Sequence, residues 1–190
     1  MGKFTDRFRI ETTRLRDWDY SASGWYFVTM CTRNQVPYFG EVLKDKVDLS
    51  SPGVIASLLW LEIPEHHAGV ELDEFIIMPN HVHGVIILLG NKGDSQRDPV
   101  ETLHAASVQL PIDQKMADIS PRKGSLPVVV RSYKSAVTRW ARQNGYEDFA
   151  WQARYYDHII RSQEALRKIR TYIQENPLKW ALDRYYLRND

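Results

Sequence analysis

Two histidines one residue apart, His81 and His83 in Met78-Pro79-Asn80-His81-Val82-His83-Gly84, are the side chains of this sequence best suited to chemistry. Neutral imidazole is a common ligand for divalent metals, so the pair could share one ion. The run Phe75 to Leu88 is apolar apart from Pro79-Asn80, the histidines and Gly84. Two apolar runs around a Pro-Asn turn predict a β-hairpin, Leu72–Met78 paired with His81–Leu88. Side chains alternate across a strand, which projects His81 and His83 from one face and Val82 from the other. A histidine pair of this spacing also occurs as ordinary core, so the spacing needs a second feature beside it.

That feature lies downstream, in Tyr172-Ile173-Gln174-Glu175-Asn176-Pro177. Gln163 to Asn176 reads as a helix in which Ala165, Ile169, Tyr172 and Asn176 share a stripe, with Leu166 and Ile173 beside it. Pro177 ends it. Tyr172 and Asn176 stand one turn apart on the inward side. They suit either an aromatic core residue followed by a terminal amide, or a nucleophile followed by a ligand. A tyrosine hydroxyl can attack phosphorus, and an amide oxygen can be a third metal ligand. Two histidines and one oxygen leave positions open for a phosphate oxygen on a hard ion such as Mg²⁺ or Mn²⁺.

Three motifs recur together and in order: Met78-Pro-Asn-His-Val-His-Gly, Trp151-Gln152 with Tyr155-Tyr156-Asp157-His158-Ile159-Ile160-Arg161, and Tyr172-Ile-Gln-Glu-Asn-Pro-Leu-Lys-Trp180. With Gly24-Trp25-Tyr26-Phe27-Val28-Thr29 before them, they make the chain resemble the REP-associated tyrosine transposases. That family belongs with the HUH single-tyrosine transposases of insertion sequences that move single-stranded DNA. The resemblance runs from about Gly24 to Trp180. It implies His81 and His83 as metal ligands, Tyr172 as nucleophile, and Asn176 in the third ligand position, which relatives fill with Gln or Asn. It further implies cleavage and joining of single-stranded DNA at repeat hairpins through a 5′-phosphotyrosine link and a free 3′-hydroxyl. Energy conserved in that link removes the need for ATP, and the sequence has no Gly-x-x-x-x-Gly-Lys loop.

Composition is compatible with this reading. A chain of 190 residues with 43% hydrophobic content can bury one core, not two full ones. No run is apolar enough for a membrane span, and the charged amino terminus lacks a signal-peptide core. One cysteine, Cys31, excludes an internal disulfide, suits a reducing cytoplasm, and reads as core rather than reactive. The net charge of +1 is low for a nucleic-acid binder, so distribution matters more than the sum. Ile119 to Tyr146 holds no acidic residue but carries Arg122, Lys123, Arg131, Lys134, Arg139 and Arg142. Arg154, Arg161, Arg167, Lys168 and Arg170 follow near the Tyr172 helix. A basic helix face is commonly just solvated. Flanking a metal site and a tyrosine, these cations predict a phosphate-binding path, with Arg131, Lys134, Arg139, Arg142, Arg154 and Arg161 as DNA contacts. Trp151, Tyr155 and Tyr156 suit either base stacking or core packing.

The elements that must position these groups can be read in outline. A polar arm occupies residues 1–23, a strand Trp25–Thr32, and a connection residues 33–50. A helix runs from Ser51 to about His67, bent or ended early by Pro64. After the hairpin, residues 91–127 lack periodicity and read as a mobile surface insertion. Val128 to Asn144 is a second long helix closed by Gly145. Short strands at Asp148–Trp151 and Tyr156–Arg161 precede the Tyr172 helix, and residues 181–190 form a tail. The order predicts an α+β fold, a ferredoxin-like sandwich with helices packed on one antiparallel sheet, and the resemblance implies a single catalytic domain over residues 24–180.

The remaining histidines suit modest roles. His66 and His67 end a helix, where a cation offsets the dipole, and His104 lies in the insertion. Asp157 and His158 are candidate supporting residues, Asp157 as an outer partner of a metal-bound histidine. The short Arg161–Gln163 connection has no Gly-rich hinge, which predicts a monomer using its own Tyr172 rather than a helix-exchanging dimer. Two other functions compete: a metal-dependent phosphodiesterase in which water attacks, and a hairpin-binding module without catalysis.

Overall fold

The computed structural model describes Leu15, residues 18–90, Arg122 and residues 124–186. The predicted first strand is β1, Gly24–Cys31. After a 3₁₀ turn at Arg33–Gln35, the stretch read as a plain connection forms a small hairpin, β2 Gly40–Leu43 and β3 Lys46–Leu49. Its turn residues Lys44 and Asp45 hold φ values of 49° and 64°. Such a turn is normally announced by Asn-Gly or Asp-Gly, and Lys-Asp hides it.

The predicted helix from Ser51 is two pieces, α1 Ser51–Leu61 and α2 Ile63–His66. Ser50 caps α1 by accepting from the Gly53 amide at 3.2 Å, and Pro52 occupies its first turn. Pro64 sits in the first turn of α2, where its missing N–H costs nothing, so the break comes at Glu62. The central hairpin is β4 Val70–Met78 and β5 His81–Leu88. Then come α3 Leu126–Gln143, β6 Tyr156–Ile160, α4 Gln163–Glu175 and a 3₁₀ segment, Pro177–Leu182. Asp148–Trp151 is not a strand; only Trp151 bridges, to Thr32. Of the arm, Leu15 and residues 18–23 are described, and of the insertion, Arg122 and residues 124–127. The mobility expected of residues 91–127, and His104 with it, lie outside the described residues.

Four strands form an antiparallel sheet in the order β4-β5-β1-β6, the arrangement of a ferredoxin-like α+β sandwich. Alternation sorts the strand residues onto two faces. Tyr26, Val28 and Met30 of β1 and Val82 and Ile86 of β5 face α1 and α3, packing with Trp60, Val129, Tyr133 and Val137. Phe27 and Val85 face the other way, against Leu166 and Ile173 of α4. Gly84 is needed on the first face. A Cβ there would stand 2.3 Å from Cζ2 of the fully buried Trp60, so the indole lies directly on the strand backbone.

A β-bulge sets where α4 docks. The β4–β5 register shifts between Leu72 and Phe75, and the bulge aims Asp73 and Glu74 at α4. Asp73 takes both arms of Arg170, at 2.8 Å from Nε and 2.5 Å from a terminal nitrogen, and Glu74 accepts from Gln174 at 2.9 Å. The Arg170 hydrogen bonds hold the Asp73 carboxyl below its usual range. Ser162 caps α4 through the Ala165 amide at 3.1 Å. No described helix is long and apolar enough to cross a membrane.

Candidate active site

β5 carries His81 and His83 on its α4-facing side, with their ring centroids 4.4 Å apart and both side chains essentially buried. Register places His83 opposite Thr29 and His81 opposite Cys31 on β1. His83 Nδ1 and the Thr29 hydroxyl are 2.8 Å apart, and Phe27 stacks on the same imidazole at 5.4 Å. Burial holds both histidines neutral, His81 down to about 3 and His83 well below its ordinary value. Neutral imidazoles are what a metal ion requires.

α4 brings Tyr172 to the pair. Its hydroxyl is 3.1 Å from His83 Nε2, and its ring packs edge-on to Phe27. The side chain remains 40% exposed, so a substrate can reach the oxygen. Burial raises the Tyr172 pKa, with the Asp183 charge adding and Arg184 opposing. The hydroxyl rests on a nitrogen that a metal would also need. One lone pair cannot serve both.

One turn later Asn176 is buried, and its Nδ2 donates to Asp183 at 3.1 Å. A carboxylate only accepts, so the amide nitrogen must face Asp183 and Oδ1 must face away from it. Among the described residues Asn176 Oδ1 has no donor, and His81 Nε2 has no partner either. Buried acceptors left this way are costly, and a cation satisfies both. One donor atom each of His81, His83 and Asp183 lie within 4.8 Å of one another. The residues present therefore fit a divalent ion, with Asn176 and Asp183 as the available oxygens.

Several contributors were not foreseen in the sequence. Thr29 and Phe27 sit in the motif around β1, but only strand register shows that they face His83. Asp183 and Tyr185 belong to the segment read as a tail. Tyr185 lies over His81 with centroids 4.7 Å apart, and its carbonyl accepts from Asn80 at 2.8 Å. The side chains that meet the Nδ1 atoms of His81 and His83 are Asn80 and Thr29, and Asp157 is not among them. Asp157 pairs with Val28 in register, which puts its side chain on the opposite face of the sheet. His158, opposite Phe27, is exposed on the histidine side, in a cleft of about 430 Å³ with Tyr156, Arg161 and Ser162.

The cations are spread more widely than their sequence positions suggest. Arg131 and Arg139 are exposed on α3, which packs on the face away from the histidines. Lys134 donates to the Gln152 carbonyl at 2.5 Å and lies 5.7 Å from the Trp151 ring centre, with burial lowering its pKa to about 8. Arg142 reaches the Phe149 carbonyl, Arg154 is exposed, and Arg161 stacks over Trp18 at 5.6 Å. Trp151 packs on Phe39 and Phe149, so it serves the core. Cys31 is buried, its thiol pushed up to about 11 by burial, as expected of a core cysteine.

Comparison with known proteins places the chain in a family and in a fold. No family model matches the chain. An uncharacterized protein of Haemophilus influenzae is 34% identical over 178 residues, covering 92% of this chain and 91% of that one. The two belong to one family. Among solved structures, a REP-associated tyrosine transposase bound to a REP hairpin matches with a TM-score of 0.54 and 16% identity, over 90% of this chain and 75% of that one. This chain has the REP-associated tyrosine transposase fold. The transposase fold accounts for the four-stranded antiparallel sheet and the helices on it.

Proposed function

We propose that the protein cleaves and rejoins single-stranded DNA at hairpins through a covalent link to Tyr172. The observation that carries this is the half-exposed Tyr172 hydroxyl, 3.1 Å from His83 Nε2 and beside a buried pair of histidines. A core tyrosine would have no need of that neighbourhood. The Tyr172 hydroxyl loses its proton as its oxygen bonds to phosphorus, the bond from phosphorus to O3′ breaks, and the 3′ oxygen takes up a proton to leave as hydroxyl. The product is a 5′-phosphotyrosine enzyme, which an incoming 3′-hydroxyl reverses on another strand.

His81, His83 and Asn176 would hold Mg²⁺ or Mn²⁺, with Asp183 the other oxygen in reach. Such an ion draws negative charge from a phosphate oxygen and lowers the barrier to attack. Thr29 and Phe27 fix the plane of the His83 ring, and Arg170 with Asp73 holds the helix that carries Tyr172. Arg161, just before the Ser162 cap of α4, and His158 in the same cleft supply cationic and polar surface there, and exposed Arg154 adds a further cation. The exposed cations of α3 suit the duplex arm of a hairpin that reaches round the sheet. The protein acts as a monomer in the cytoplasm.

Incubating the protein with labelled hairpin DNA carrying a single-stranded flank, with Mn²⁺ or Mg²⁺, tests this on a denaturing gel. A protein–DNA adduct with a free 3′-hydroxyl fragment is expected. Cleaved DNA without an adduct would replace this reading with a phosphodiesterase. DNA retained on a native gel but never cut would leave a binding module.

A further inference from the structure

We infer that Asn80 is a positioning residue that fixes which nitrogen of His81 faces the site. This rests on the metal-binding reading of the histidine pair. Asn80 is buried at the β4–β5 turn, and both its amide nitrogen and its amide oxygen have protein partners. Its Nδ2 donates to the Gln35 carbonyl at 3.1 Å and the Tyr185 carbonyl at 2.8 Å. Carbonyls only accept, so the nitrogen must face them and Oδ1 must face His81. That oxygen is 2.9 Å from His81 Nδ1. An amide oxygen has no proton to give, so Nδ1 carries the hydrogen. Nε2 of the neutral ring is then a bare lone pair, and it is the atom with no partner among the described residues.

His83 is different. Its Nδ1 meets the Thr29 hydroxyl and its Nε2 the Tyr172 hydroxyl, groups that can each donate or accept, so either tautomer fills both bonds. The tautomer of His81 is dictated and that of His83 is left free. Free histidine prefers the proton on Nε2, the wrong nitrogen for a ligand facing the site. Asn80 reverses that preference. It does so through two carbonyls far away in sequence, one at the end of the turn after β1 and one in the segment after the second 3₁₀ helix. The backbone carbonyl of Asn80 is bonded separately, to the Thr32 amide at 2.8 Å, so the side chain is not what holds the turn to β1.

The test uses the full chain without metal, with ¹⁵N-labelled histidine and long-range ¹H–¹⁵N correlation spectra that report each tautomer. His81 should show a protonated Nδ1. In Asn80→Ala the ring should shift toward Nε2–H, and Mn²⁺ affinity by calorimetry should fall about 10–100-fold. Asn80→Asp keeps an acceptor for Nδ1–H but loses both donations to the Gln35 and Tyr185 carbonyls, so it should keep the tautomer and recover only part of the affinity. An Nε2–H signal for His81 in the unmodified protein would overturn the inference without any variant, as would Asn80→Ala retaining both tautomer and affinity. Should Asn80→Ala fail to fold, the unmodified and Asn80→Asp spectra still decide. A protonated Nδ1 in a protein that takes up no Mn²⁺ would support the role of Asn80 and sink the metal reading alone.

Discussion

The single atom on which the proposed activity depends is the Tyr172 oxygen. Tyr172→Phe deletes it and keeps the ring edge-on to Phe27, so packing survives. The change leaves the buried His83 Nε2 without its partner and should cost about 1–3 kcal/mol, short of unfolding the protein. The expected outcome is a folded protein that binds hairpin DNA and forms no adduct. An adduct that persists would move the nucleophile to another residue, with exposed Tyr156, opposite Thr29 on the same face, the first candidate. The third ligand is separable in the same way. Asn176→Ala removes the unpartnered oxygen, whereas Asp183→Asn removes charge but leaves an acceptor for Asn176 Nδ2. Mn²⁺ affinity should fall further in Asn176→Ala, by about 10-fold or more. The opposite order would assign the ligand to Asp183.

At the level of elements, two local devices hold the site together from opposite sides of the sheet. Behind β5, Gly84 lets Trp60 lie on the strand. Gly84→Ala places a methyl in the indole and should destabilise the fold by about 1–3 kcal/mol. Trp60→Phe removes the ring atoms that the methyl meets, so the two changes together should cost less than their sum. Urea denaturation of the double-mutant cycle reads this directly, and strict additivity would remove Trp60 as the cause. In front, the bulge at Asp73-Glu74 and the Arg170 fork fix the height of α4, and with it the distance from Tyr172 to His83. β-bulges beside active sites commonly re-aim side chains in this way.

For the whole molecule, the histidine pair makes stability depend on pH. In the unfolded chain both rings take a proton near pH 6.5, whereas the folded protein refuses it down to about 3 for His81 and well below the ordinary value for His83. Their contribution is fully present above the unfolded pKa and is lost as pH falls from there toward the folded values. The slope should approach roughly 1.4 kcal/mol per pH unit for each histidine. Asp73, whose folded pKa is lowered below 3.8, adds its own loss only under more acid conditions. A urea midpoint that stays constant between about pH 7 and about pH 5 would contradict burial of neutral rings. The docking of α4 on its own sheet also argues that Tyr172 serves its own histidines. A mixture of His81→Ala and Tyr172→Phe proteins should therefore remain inactive. Recovery of the adduct on mixing would demonstrate assembly between two chains.

Local pattern was enough for much of this. Alternation over Phe75 to Leu88 placed His81 and His83 on one face, and the stripe of α4 placed Tyr172 and Asn176 together, because both are properties of neighbouring residues on a regular backbone. Order of elements then led to the ferredoxin-like sheet. Pattern could not show what each of these residues would meet. Thr29 reaches His83 across 54 positions, Arg170 reaches Asp73 across 97, and the Tyr185 carbonyl reaches Asn80 across 105. A one-residue change of strand register would have turned Thr29 away, and a β4 without its bulge would have turned Asp73 away. Periodicity specifies which side of an element is apolar, whereas register, bulge and chain return are chosen by the packing of the whole molecule. The nitrogen that His81 presents is therefore decided by tertiary structure, although the histidine itself is plain in the sequence.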